Sequence, residues 1–77
     1  MAARAYVLVR TEVGKAKAVK EALQRLPGVA AADIVTGDYD LIVAIEQATP
    51  EELGRLVMEQ IHGVPGVAAT STHVVVG

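Results

Sequence analysis

Cysteine, phenylalanine, tryptophan and asparagine are all missing from these 77 residues. Without cysteine there is no disulfide framework and no thiolate metal site, which suits a reducing compartment and makes the cytoplasm the expected location. With Tyr6 and Tyr39 as the only aromatics, any core must be assembled from Val, Ile, Leu and Ala. An excess of positive charge is missing too. The formal net charge is −2, so no broad attraction to nucleic acid or to an anionic membrane is expected. No apolar run approaches the ~20 residues that a membrane span needs. Met1-Ala2-Ala3-Arg4 reads as leading directly into a short strand. The length allows one domain over residues 1–77 and little core, burying about 60–65% of the unfolded surface. A core of that size rarely supplies more than about 3–5 kcal/mol. Association between copies is the stabilising device that remains.

What is present is a clear succession of periods. Arg4 to Glu12 alternates, with Ala5, Val7 and Val9 on one face and Tyr6 and Leu8 on the other. Both faces are apolar until Arg10, the pattern of a central strand buried on both sides. From Val13 to Leu26 the residues Ala16, Val19, Ala22, Leu23 and Leu26 form one stripe, predicting an amphipathic helix of about four turns. Pro27-Gly28 stops it. Val29 to Glu46 reads as a hairpin closed around Gly37-Asp38, because Gly supplies a positive φ and Asp tolerates the left-handed region. After the turn, Tyr39, Leu41, Val43 and Ile45 alternate with Asp40, Ile42, Ala44 and Glu46.

Thr49-Pro50-Glu51-Glu52 is a helix start: Thr49 caps, Pro50 sits where a missing N–H is harmless, and Glu52 is placed to close a capping box. Leu53, Leu56, Val57, Gln60 and Ile61 line one face of that second helix, which ends at His62-Gly63. Val67 to Val76 forms the last strand. Leu26-Pro27-Gly28-Val29-Ala30-Ala31 returns thirty-eight positions later as Val64-Pro65-Gly66-Val67-Ala68-Ala69, so the chain divides into two β-α-β halves.

Right-handed crossovers turn β-α-β-β-α-β into an antiparallel sheet of order 4-1-3-2, an α+β ferredoxin-like fold with both helices on one face. The opposite face is left bare. Strands apolar on both sides make that face a contiguous patch that a lone subunit would expose. A second copy related by a two-fold axis is the simplest cover. Placing a charge on it, for example Val9→Glu, should then cost assembly.

Candidate chemistry is sparse. Asp38, Tyr39 and Asp40 form either an ordinary turn or the polar corner of a small-molecule site, where a carboxylate meets an ammonium group and turn amides meet a carboxylate. Thr70, Ser71 and Thr72 interrupt the apolar last strand, with Thr70 and Thr72 on one face and Ser71 and His73 on the other. Threonine also favours strands for no chemical reason. His62 and His73 lack the spacing of a metal site. Tyr6 and Tyr39 lack the basic neighbours of an RNA-stacking platform. No nucleophile–base pair or acid–base dyad stands out, so a binding module is expected rather than a catalyst, with no metal and no cofactor.

The run Pro27-Gly28-Val29…Val35-Thr36-Gly37-Asp38-Tyr39-Asp40-Leu41, followed by Pro65-Gly66-Val67 and Thr70-Ser71-Thr72, resembles the effector domain of Lrp/AsnC transcription regulators. That domain is called RAM, for regulation of amino acid metabolism, and the likeness covers Ala5 to Val76. The helix-turn-helix of the family's longer members has no counterpart here, so the chain resembles the stand-alone RAM proteins, which implies no direct contact with DNA. The resemblance further implies dimerisation through the sheets, dimers assembling into octamers or decamers, and an amino-acid effector held between them. By similarity its contacts are Gly37, Asp38, Tyr39 and Asp40 of the turn with Thr70 and Thr72 of the last strand, in the same or an adjoining subunit. Thr36 and Ser71 are weaker candidates. The resemblance also implies a full-length Lrp/AsnC regulator as partner. Two alternatives stand beside this reading. One is an assembly partner of such a regulator with no ligand of its own. The other is a small dimeric α/β-barrel enzyme with His73 as base.

Overall fold

Each change of hydrophobic period becomes a change of element in the computed structural model, which describes residues 2–77. Strand β1 spans Ala3–Thr11, helix α1 Ala16–Gln24, β2 Val29–Ile34, β3 Leu41–Gln47, α2 Pro50–Arg55 with a π-helical continuation over Leu56–Ile61, and β4 Val67–Val74. The sheet runs β2-β3-β1-β4, the expected order, and every neighbouring pair is antiparallel. Ala5, Val7 and Val9 of β1, Leu41, Val43 and Ile45 of β3 and Ala32 of β2 point toward the helices. Against them pack Val19 and Leu23 of α1 with Leu53, Leu56, Val57 and Ile61 of α2 and its continuation. No helix among the described residues is long and apolar enough to cross a membrane.

The two Pro-Gly-Val echoes fold alike. Val29 N–H donates to Leu26 C=O and Val67 N–H to Val64 C=O, both at 3.2 Å, with Gly28 and Gly66 at φ +96° and +98°. Pro then Gly at the centre of a four-residue turn with a positive φ on the second is the type II pattern. Both turns deliver the chain from a helix to an edge strand of the sheet.

Four local expectations need correction. Helix α1 holds nine residues, about two and a half turns, because Val13-Gly14 forms a turn closed by Lys15 N–H on Glu12 C=O at 3.0 Å. The second helix widens after Arg55. His62 N–H reaches Val57 C=O at 3.0 Å, an i to i−5 bond. Leu56, Val57 and Ile61 are buried as expected, whereas Gln60 is exposed. At the start of α2, Thr49 Oγ1 accepts from Glu52 N–H at 3.2 Å, and the returning Glu52 carboxylate bond of a capping box is not made.

The fourth concerns the bare face. Val9 is wholly buried among the helices, so it is not on that face. Tyr6, Leu8, Ile42 and Ala44 are, with Tyr6 48% and Ile42 38% exposed in the single subunit. The strands are therefore buried on one side only within one subunit. The exposed apolar strip is Tyr, Leu, Ile and Ala, fringed by Arg4, Arg10, Asp33 and Glu46.

Candidate functional site

The connection between β2 and β3 is longer than a two-residue hairpin turn. It runs from Val35 to Asp40 and is closed by Val35 N–H donating to Asp40 C=O at 2.8 Å. Gly37 takes φ +146°, and a Cβ there would meet nothing within 4 Å. Among the described residues no non-glycine has a positive φ, so Asp38 does not enter the left-handed region expected of it. Asp40 N–H donates to Val9 C=O at 2.9 Å, extending the β1–β3 ladder by one step.

Two side chains of β1 tie this loop down. Asp40 Oδ2 accepts from Thr11 N–H at 2.8 Å and from Thr11 Oγ1 at 3.2 Å, in a partly buried position. Arg10 donates from Nε at 3.3 Å and from Nη2 at 3.0 Å to the Asp38 carbonyl. Its guanidinium carbon stands 5.1 Å from the centre of the Tyr39 ring, within cation–π range. The loop thus holds two carboxylates in different situations. That of Asp40 is engaged by β1, and that of Asp38 has no partner among the described residues. The backbone N–H groups of Thr36, Gly37, Asp38 and Tyr39 also make no hydrogen bond among the described residues.

Thr70 and Thr72 lie elsewhere. They pair opposite Val9 and Val7, whose side chains enter the core, so alternation puts both hydroxyls on the helix side of the sheet. Thr70 Oγ1 is 2.6 Å from His62 Nε2 at the end of the second helix. A crevice of about 340 Å³ there is lined by His62, Val67, Ala68, Ala69 and Thr70. Thr72 borders a groove of about 200 Å³ whose other walls are Pro50, Leu53, Gly54, Val57, Met58 and Val74, all apolar. Ser71 is on the helix-free face, with its Oγ 3.0 Å from His73 Nε2 on the same strand.

Within one subunit the fold brings Gly37, Asp38, Tyr39 and Asp40 together with Arg10 and Thr11. It does not bring Thr70 or Thr72 to them. Strand β1 lies between β3 and β4, and Arg10, which grips the turn, belongs to the face opposite the threonines. Arg10 and Thr11 were not among the residues expected from sequence. The signal available was the break in β1: the apolar alternation stops at Arg10, where antiparallel pairing sets the end of β1 beside the start of β3. Among the described residues no three His, Asp or Glu side chains converge on a metal position.

Residues 4–77 match the model of the Lrp/AsnC ligand binding domain. An uncharacterised HTH-type transcriptional regulator of Pyrococcus furiosus is 34% identical over 73 residues, covering 91% of this chain and 49% of its own length, so the chain spans about half of that relative. A hypothetical protein from Pyrococcus horikoshii superposes with a TM-score of 0.90 at 37% identity, covering 99% of this chain and 90% of that one. A transcriptional regulator of Neisseria meningitidis, solved as an L-Met complex, shares the fold with a TM-score of 0.86 at 16% identity, over 97% of this chain and 50% of its own.

Proposed function

Because the chain belongs to the Lrp/AsnC ligand binding domain family, we propose that it is an amino-acid-binding module that works as an oligomer and modulates transcription together with partner regulators. The observation that carries the amino-acid reading is the unequal state of the loop's polar groups. A free α-amino acid presents an ammonium and a carboxylate one carbon apart. The corner at Thr36–Asp40 presents an unpartnered carboxylate on Asp38 beside four N–H groups, those of Thr36, Gly37, Asp38 and Tyr39, without acceptors among the described residues. The similarity to a regulator solved with L-Met supports the same ligand class.

The helix-free face supports the oligomer. Tyr6, Leu8, Ile42 and Ala44 form an apolar strip with charge only at its margin, which a second copy covers face to face. Dimers then assemble into octamers or decamers, bringing the Thr70–Thr72 strand of one subunit toward the turn of another. Co-assembly with full-length regulators through the same face carries the effector signal to DNA. Calorimetry with each of the twenty amino acids tests the reading. One or a few are expected to bind, and Tyr39→Ala is expected to weaken them. Silence across all twenty would defeat it.

A further inference from the structure

We propose that Arg10 is the anion-binding residue of the turn site, receiving the α-carboxylate of an amino acid whose ammonium group sits on Asp38; this rests on the amino-acid reading above. The guanidinium has five N–H donors in a planar fork. Two of them, on Nε and Nη2, hold the Asp38 carbonyl, which leaves three directed elsewhere. No carboxylate of the chain takes them: among the described residues the ion pair formed is Arg55 with Glu59. The Tyr39 ring restrains the guanidinium at 5.1 Å. In the single subunit the result is a cation that is exposed, oriented and, among the described residues, without a counter-charge.

The surroundings favour an anion at the same place. The N–H groups of Thr36, Gly37, Asp38 and Tyr39 are unclaimed among the described residues, so Arg10 adds full charge to a turn whose own donors are open to an acceptor. The partition between the two carboxylates completes the zwitterion's complement. The Asp40 carboxylate accepts from both the N–H and the hydroxyl of Thr11, and of the two loop carboxylates only that of Asp38 is free. Arg10 is held by the main chain of the residue whose side chain carries that free carboxylate. The cation and the free carboxylate therefore belong to one turn, where a small zwitterion meets a charge of each sign. Ligands of this class must carry both charges; amines and amides lack the half that Arg10 reads.

The test is calorimetric titration of wild type, Arg10→Gln, Arg10→Lys and Asp38→Asn with the twenty L-amino acids and their α-carboxamides. Wild type is expected to prefer the acid over its carboxamide by about tenfold to a hundredfold, the weight of one charge-assisted hydrogen-bonded contact. Arg10→Gln is expected to lose that factor for the acid alone, so that the preference collapses, and Arg10→Lys to keep part of it. Equal weakening of acid and carboxamide in Arg10→Gln would overturn the assignment, since a residue that only holds the turn lowers both. Undiminished binding by Arg10→Gln would overturn it as well, leaving the amino-acid reading intact. A wild type silent to all forty compounds overturns both. Should Arg10→Gln fail to fold, the Arg10 Nε–Hε resonance of wild type decides: it moves with the acid and not with the carboxamide, or the assignment is wrong.

Discussion

Removing the Asp40 carboxylate should unpin the turn, and its cost can be worked from two bonds. Asp40 Oδ2 accepts from Thr11 N–H at 2.8 Å and from Thr11 Oγ1 at 3.2 Å. Hydrogen bonds to a charged group contribute about 1.5–3 kcal/mol each when well buried. These are only partly buried and share one oxygen, so the pair together is taken at about 2 kcal/mol. In a domain of this size each kcal/mol moves Tm by about 4–8 °C, which gives a fall of about 8–16 °C for Asp40→Ala. Asp40→Asn keeps an acceptor for Thr11 N–H but loses the charge, so about half of that loss is expected. Asp38→Asn removes a carboxylate with no partner and should stay within about 0.5 kcal/mol of wild type. The assay is thermal unfolding of all three at one protomer concentration, because assembly contributes to the apparent Tm. Equal stability of Asp40→Ala and Asp38→Asn would refute the division of labour between the two carboxylates.

Two further outcomes follow from the fold. Leu8→Glu or Ile42→Glu should yield a folded monomer by light scattering with an unchanged far-ultraviolet spectrum, whereas Val9→Glu should unfold the subunit, since Val9 is completely buried; an intact oligomer for Leu8→Glu would remove the sheet face as the interface. Gly66→Ala must place a Cβ at φ +98°, 2.9 Å from Val19 Cγ2 and 3.0 Å from Lys15 Cβ. Left-handed strain of about 1–2 kcal/mol plus that contact should lower stability by about 2 kcal/mol or more in urea denaturation, and a neutral result would mean that the turn relaxes freely.

The architecture was legible because it rests on local contrasts that survive in a single sequence. A period-2 run at Tyr6–Val9, a helical stripe at Val19–Leu23 and the repeated Pro-Gly-Val turns specify elements, and the handedness of crossovers then leaves one sheet order. Alternation alone does not say which set of residues turns inward. Ala5, Val7 and Val9 are no more apolar than Tyr6 and Leu8, so the probe expected for the bare face fell on Val9, a core residue. The site was legible only in part for a related reason. Its loop residues stand together in sequence, but Arg10 lies twenty-eight positions from Asp38 and Thr11 twenty-nine from Asp40. Only the register of β1 against β3 unites them. The π-helical winding over Leu56–Ile61 has no counterpart in the helical stripe read from the sequence, which placed Gln60 on the buried face.

The placement of the threonines bears on how such a site would signal. In one subunit the turn and the Thr70–Thr72 strand flank β1 on opposite sides, with the threonine hydroxyls toward the helices and Arg10 on the other face. A ligand as small as an amino acid cannot span the thickness of a sheet. On the proposed function, a ligand that touches both groups must therefore take them from two subunits, and occupancy and assembly become linked quantities. Binding that exists only in the assembled state stabilises it by RT ln(1 + [L]/Kd), about 2.7 kcal/mol at a hundredfold excess over Kd. That is roughly a hundredfold in the association constant for one site per contact. Reciprocity then requires that dilution weaken ligand binding to the same degree. Titrations at two protomer concentrations a hundredfold apart, straddling the dissociation range, should accordingly give different apparent affinities. Identical affinities would place the whole ligand on one subunit's turn and confine Thr70 and Thr72 to packing.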